Sequence, residues 1–185
     1  RLFRAGRLCP PLRGGHQLTD IAVLYPAESF WTSFTPSRNW TAEAATASRI
    51  ETVYRTAIES LFASQRDFTF IDSGELTKAT VESSSLISGP MKWQVVVLPG
   101  VDTLPLAAWE NLASFVRQGG AVIALGALPQ NSESEFPCDR VQVLAQEVFG
   151  QIKDNASSVH EPHCSINAAK GVGIFLPFGL ESLTA

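Results

Sequence analysis

Four acidic side chains stand at or just after the ends of short apolar runs: Glu28, Asp72, Glu75 and Asp102. Two carboxylates that face each other across a sugar can hydrolyse a glycosidic bond. Asp72 and Asp102 also precede segments with helical spacing, where an aspartate accepts hydrogen bonds from the first turn as an N-cap. Capping is favoured for the two aspartates, and Glu28 is the best candidate for a polar contact with a ligand or partner.

A second group of potential ligands comprises His160, Glu161, His163 and Cys164. A metal site needs such side chains to converge on one point. Pro162 favours an extended backbone between the two histidines, which would direct neighbouring side chains apart. We therefore predict a surface loop here and no metal site. No cofactor is expected either, because the sequence contains neither a Gly-x-Gly-x-x-Gly motif nor a P-loop.

Aromatic side chains are concentrated in one stretch, which contains Phe30, Trp31, Phe34 and Trp40. Trp31 and Trp40 could stack on a sugar ring or pack against a neighbouring domain, since exposed aromatic residues mark interfaces. Packing is the favoured interpretation. The surrounding segment, residues 26–46, is predicted to be a loop.

The order of apolar segments predicts an α/β fold. Apolar runs typical of buried strands lie at 20–25, 67–72, 93–98 and 121–125, with a weaker one at 84–88 and short ones in the tail at 157–160, 165–168 and 173–177. Helical spacing predicts helices over 50–62, 74–81, 105–118 and 139–149. Because strands alternate with helices, we predict a three-layer α/β/α sandwich with a mostly parallel central sheet. Ligands of such sheets bind at the carboxyl ends of the strands.

Residues 95–100, Val-Val-Val-Leu-Pro-Gly, followed by a helix and by residues 119–126, resemble the central part of the class I glutamine amidotransferase fold. Active members of that family carry a cysteine on a tight turn between strand and helix, two residues before a glycine. Set against Gly126, the matching position is Ala124, which has no group that can attack a carbonyl. The resemblance implies the fold of this family without its nucleophile.

Taken together, residues 16–130 resemble a segment of the large α-L-rhamnosidase-type glycoside hydrolases. The residues that carry the resemblance are, in order, Thr19 to Pro26 with Glu28 and Trp31, Phe70 to Asp72, Trp93 to Pro99 with Leu104 and Pro105, and Phe115 to Gly120. This resemblance implies a non-catalytic accessory domain, packed against a catalytic (β/α)₈ barrel elsewhere in the same parent chain.

Three other functions stay open. A flavodoxin-like domain that helps certain β-galactosidases form trimers is a close second resemblance and implies a homo-oligomer. A carbohydrate-binding module would use Glu28, Trp31 and Trp40. An enzyme in its own right would use the strand-end carboxylates Glu28, Asp72 and Asp102.

Composition bounds the remaining expectations. The net charge of −4 argues against nucleic acid as a partner. No apolar run approaches the ~20 residues of a membrane helix, so no membrane span is predicted. Because the sequence starts at Arg1, we interpret it as a piece of a longer polypeptide, with a linker at 1–17 and a single domain at 18–180.

Secretion of the parent is favoured by two N-glycosylation sequons, at Asn39 and Asn155. A disulfide between Cys138 and Cys164 would fit such a parent, whereas the spacing of the cysteines fits no zinc site.

Overall fold

A six-stranded sheet forms the centre of the fold. The computed structural model describes residues 15, 17–36, 38, 44–151 and 162–177. Numbered along the chain, the strands of this sheet are β1 (Ile21–Leu24), β2 (Thr69–Ile71), β6 (Val95–Pro99), β7 (Ala121–Leu125), β8 (His163–Ile166) and β9 (Val172–Leu176). They lie in the order β2-β1-β6-β7-β9-β8, and every neighbouring pair is parallel except β8 and β9. The predicted mostly parallel sheet is confirmed.

Helices lie on both faces of this sheet. The described helices are α1 (Ala27–Ser33), α2 (Ala45–Ala63), α3 (Ser73–Lys78), α4 (Leu106–Arg117) and α5 (Asp139–Phe149). Helix α2 packs on one face with α1 beside it, whereas α3, α4 and α5 pack on the opposite face. The three-layer sandwich is therefore as predicted. Helix α2 begins at Ala45, five residues before the helix predicted over 50–62. Ala47 in this added turn is buried and extends the apolar stripe.

Residues 27–33 form a helix where a loop was predicted. The rings of Phe30 and Phe34 stack with their centroids 5.6 Å apart, as side chains four residues apart do on one side of a helix. Pro26 is the N-cap residue, and its carbonyl accepts the N–H of Phe30 at 2.9 Å. The prediction was wrong because a helix of two turns is too short for its apolar period to stand out from a loop.

The apolar run at 93–98 belongs to two different sheets. A small antiparallel sheet contains β3 (Thr80–Glu82), β4 (Ser85–Ser88) and β5 (Met91–Trp93). The chain leaves this sheet at Gln94, whose N–H donates to the carbonyl of Asp20 at 2.8 Å, and then enters β6. The helix predicted over 74–81 ends at Lys78. The last residues of the predicted range instead form strand β3, which pairs with β4.

The predicted domain at 18–180 contains all the described elements, whereas most of the predicted linker at 1–17 lies outside the described residues. The strand predicted at 157–160 lies outside them too. Among the described helices, none combines the length and the apolar character that crossing a membrane requires.

Candidate functional site

The crevice where a sheet of this kind binds ligands lies at the carboxyl ends of β1 and β6. The chain passes from β1 to β2 on one side and then returns to β6 on the other side, so the connections diverge at this point. Parallel sheets bind ligands where their connections diverge in this way. Two segments border the crevice here: residues 25–26, which lead into α1, and residues 100–105, which lead from β6 to α4.

The side chain of Ser29, on the first turn of α1, occupies this crevice. Ser29 is 0% exposed. Its Oγ accepts the N–H groups of Asp102 at 3.1 Å and Thr103 at 3.0 Å, and it donates to the carbonyl of Thr103 at 3.3 Å. The N–H groups of Asp102 and Thr103, in the segment that follows β6, therefore have their acceptor within the protein itself. Ser29 was not predicted as a site residue, because a single serine carries no distinctive pattern.

Replacing Ser29 by alanine is expected to lower the free energy of unfolding by about 1–3 kcal/mol, because the buried N–H of Thr103 and the partly buried N–H of Asp102 lose their acceptor. Urea denaturation of the variant and of the unsubstituted chain measures the difference in the free energy of unfolding. Ser64 is exposed at the end of α2, so Ser64→Ala is the matched control and should change stability by less than about 0.5 kcal/mol. Equal stability of the two variants would show that the contacts of Ser29 are dispensable.

Asp72 follows β2 and caps the next helix, as predicted. Its Oδ1 accepts the N–H of Glu75 at 2.7 Å, at the start of α3. One carboxylate oxygen of Asp72 is thereby committed to holding a helix end.

Asp102 does not cap α4, contrary to the prediction. Its Oδ1 accepts the hydroxyl of Thr103 at 2.9 Å. Pro105 is the N-cap residue of α4, and Glu133 from the loop after β7 accepts the N–H of Leu106 at 2.8 Å. Sequence reasoning missed Glu133 because this contact joins residues that are far apart along the chain.

Glu28 lies in the first turn of α1 and connects this helix to α3. Its Oε1 accepts a hydrogen bond from the hydroxyl of Ser73. Its Oε2 is buried and has no hydrogen-bond partner within the described part of the chain, and a buried polar atom without a partner is costly. The fold thus brings Glu28, Asp72 and Asp102 to one edge of the sheet, with each carboxylate engaged in a local contact.

Trp31 projects from the same helix into solvent. Its side chain is 73% exposed, so it is available for a contact outside the described residues. Trp40, the other candidate, lies outside the described residues.

Aromatic residues also cluster where β1, α2 and β2 meet, which the sequence analysis did not anticipate. The rings of Tyr25 and Tyr54 meet edge to face at 5.4 Å, and those of Tyr54 and Phe70 lie 6.2 Å apart. Burial, with a smaller contribution from Tyr25, raises the pKa of the Tyr54 phenol. Tyr25 and Phe70 are exposed, so part of this aromatic cluster faces solvent.

Ala124 lies inside strand β7 and not at a bend, contrary to the expectation. It pairs with Leu98 and Phe175 and is 0% exposed. The left-handed backbone conformation falls two residues later, at Gly126, whose φ is 70°. The sequence match placed the turn too early because it was counted from a glycine and not from the paired end of the strand.

Cys138 and Cys164 are both free thiols, so the disulfide considered for them is absent. Cys138 is buried at the N-cap position of α5, whereas Cys164 is exposed on β8. His163 and Cys164 are successive residues of a strand rather than a surface loop, so their side chains leave opposite faces of the sheet. His160 and Glu161 lie outside the described residues.

Comparison with known proteins shows a similarity to solved structures only, and not to a family or a curated sequence. No protein-family model matches the chain, and no curated protein matches it. The crystal structure of β-galactosidase from Bifidobacterium adolescentis resembles this fold with a TM-score of 0.49 and 17% sequence identity. The match covers 83% of this chain and 65% of that chain.

Proposed function

We propose that this chain is a non-catalytic accessory domain of a glycoside hydrolase, and that it packs against a catalytic barrel formed by other residues of the same polypeptide. The observation that carries the proposal is that Ser29, fully buried beside the end of β6, accepts the N–H groups of Asp102 and Thr103, so that these two donors are not available to a ligand. The engagement of Glu28, Asp72 and Asp102 in local contacts agrees with it. The glycoside hydrolase context is supported by the order of the motifs between Thr19 and Gly120.

The lack of catalysis is tested with the purified chain and aryl glycosides of rhamnose and galactose. No release of the aryl group above the buffer rate is expected. Release that disappears in Glu28→Gln or Asp72→Asn would overturn the proposal, because it would place these carboxylates in an active site. The proposed packing is tested on the gene, which should encode a (β/α)₈ barrel in the same reading frame. A reading frame without a barrel would overturn the proposed packing.

Trp31 is the proposed anchor of the domain contact, because it is exposed on α1 and because buried tryptophans carry a large share of interface energy. When the chain and the barrel are produced separately and mixed, Trp31→Ala should weaken their association by about 2 kcal/mol, or roughly 30-fold in Kd. Phe62, an exposed aromatic residue on α2, provides the control variant Phe62→Ala, whose Kd should stay unchanged. Calorimetric titration measures both values, and an unchanged Kd for Trp31→Ala would remove this residue from the interface.

A carbohydrate-binding module is the second candidate function, favoured by the same exposure of Trp31. A sugar that stacks on the indole should change its fluorescence saturably, and Trp31→Ala should abolish that change. Rhamnose and galactose oligosaccharides at millimolar concentration are suitable probes. A titration without heat and without a fluorescence change would reject this function and leave the packing proposal in place.

A further inference from the structure

The two edge strands of the central sheet, β2 and β8, differ in how their edges are protected. Beside β2, Nε2 of Gln17 donates to the backbone carbonyl of Phe68 at 3.1 Å and to Oδ1 of Asp67 at 3.2 Å, so a side chain and a charge lie where the chain enters this strand. No described strand pairs with the outer side of β8. Because an unpaired strand edge is a template for another strand, β8 is the edge at which the sheet can be extended.

The pairing of β8 with β9 shows which backbone groups lie at this edge. Ile166 stands opposite Val172, but the N–H of Val172 donates to the carbonyl of Gly120, on the side of β7, at 3.0 Å. Ile166 and Val172 are therefore a non-hydrogen-bonded pair, in which the backbone groups of each residue point away from the other. Cys164 has the same direction, because the direction alternates along a strand. The N–H and C=O groups of Cys164 and Ile166 thus face outward from β8.

The side chains of β8 lack the features that usually prevent pairing at an edge. Lysines, other charged residues and prolines protect exposed edges, whereas the sequence of β8 is His-Cys-Ser-Ile. Cys164 and Ile166 lie on one face of the strand, where Cys164 is exposed and Ile166 is 67% exposed. The edge therefore presents free backbone groups together with an exposed apolar side chain.

We propose that β8 pairs antiparallel with β8 of a second copy of this chain, about a twofold axis that passes through Ser165. In this register Cys164 of each copy stands opposite Ile166 of the other copy, and their outward N–H and C=O groups bond to each other. The exposed side chain of Ile166 then packs against Cys164 of the second copy as a cross-strand pair. The two central sheets join into one continuous sheet.

A second copy is favoured over an unrelated strand because the edge is complementary to itself, as a twofold interface requires. The outward groups at positions 164 and 166 are placed symmetrically about Ser165, so each of them finds a partner. Pro162, which has no N–H to donate, falls opposite Ala168 of the second copy, in the turn after β8, where the ladder has already ended. The pairing does not rest on the proposed function, since Trp31 and α1 lie beside β1, towards the other edge of the sheet.

Sedimentation equilibrium of the chain is the first test. The chain should be a dimer, and Ile166→Lys should raise the dissociation constant at least about tenfold, because a lysine at an edge opposes pairing. Leu18→Lys is the matched control at a leucine that is 92% exposed outside β8, and it should leave the dissociation constant unchanged. A chain that stays monomeric at the highest soluble concentration, or a dimer that Ile166→Lys leaves intact, would overturn the proposal.

A disulfide test checks the register without a charged substitution. In a background with Cys9→Ser and Cys164→Ser, Ser165→Cys places two thiols directly opposite each other across the axis, with Cβ atoms ~5 Å apart, whereas the two thiols of Ile166→Cys lie diagonally at ~7–8 Å. Cys138 is buried and stays unchanged. Non-reducing electrophoresis should show the covalent dimer of Ser165→Cys forming about tenfold faster. Equal rates for the two variants would reject the proposed pairing and leave the proposed function unaffected.

Discussion

Trp93→Ala is expected to lower the free energy of unfolding by about 3–5 kcal/mol. Trp93 is 1% exposed and stands where the chain crosses from the small sheet to the central one. Its Nε1 donates to Oγ1 of Thr69 on β2 at 2.6 Å, so the indole joins β5 to the edge of the central sheet. Alanine would leave a cavity where the small sheet meets the central sheet.

Differential scanning fluorimetry measures this loss as a decrease in Tm of roughly 6–20 °C for a domain of this size. Trp31→Ala provides a control with the same chemical change at a side chain that is 73% exposed, and its Tm should stay within about 2 °C of the parent. If both variants melted at the parental temperature, the burial of Trp93 between the sheets would be incorrect.

Gly173→Ala is expected to lower the free energy of unfolding by about 3 kcal/mol, at the upper end of the usual cost of overpacking. A Cβ at this position would lie 2.0 Å from the carbonyl oxygen of Val148 and 2.7 Å from its carbonyl carbon. These are backbone atoms of α5, so the helix as a whole would have to move away from β9. The cost is steric, since Gly173 does not adopt a left-handed conformation.

Chemical denaturation compares this variant with Gly74→Ala. A Cβ at Gly74, in α3, would meet only Oδ1 of Asp72, at 3.3 Å, and alanine is the better helix former. The control should therefore keep its stability to within about 0.5 kcal/mol. A Gly173→Ala variant as stable as the control would mean that α5 lies farther from the sheet than described.

The amino-acid sequence by itself determined the class of fold and most of its elements. The β-branched run that ends at Pro99 and the apolar stripes of α4 and α5 are strong local signals, because each repeats its period over a whole element. Asp72 could be recognised as a cap for the same reason, since the cap and the helix it holds are neighbours in the chain. Such features depend on residues within a few positions of one another, which a sequence displays directly.

Only the tertiary structure decided which side chains meet the segment that follows β6 and which apolar run changes sheets. Ser29 meets Thr103, and Glu133 meets Leu106, across distances in the chain that no local pattern records. Trp93 and Val95 are equally apolar, yet the turn at Gln94 sends them to different sheets. The physical reason is that a polar group bonds to whichever partner lies beside it in the folded chain. The sequence alone does not show which distant residues become neighbours.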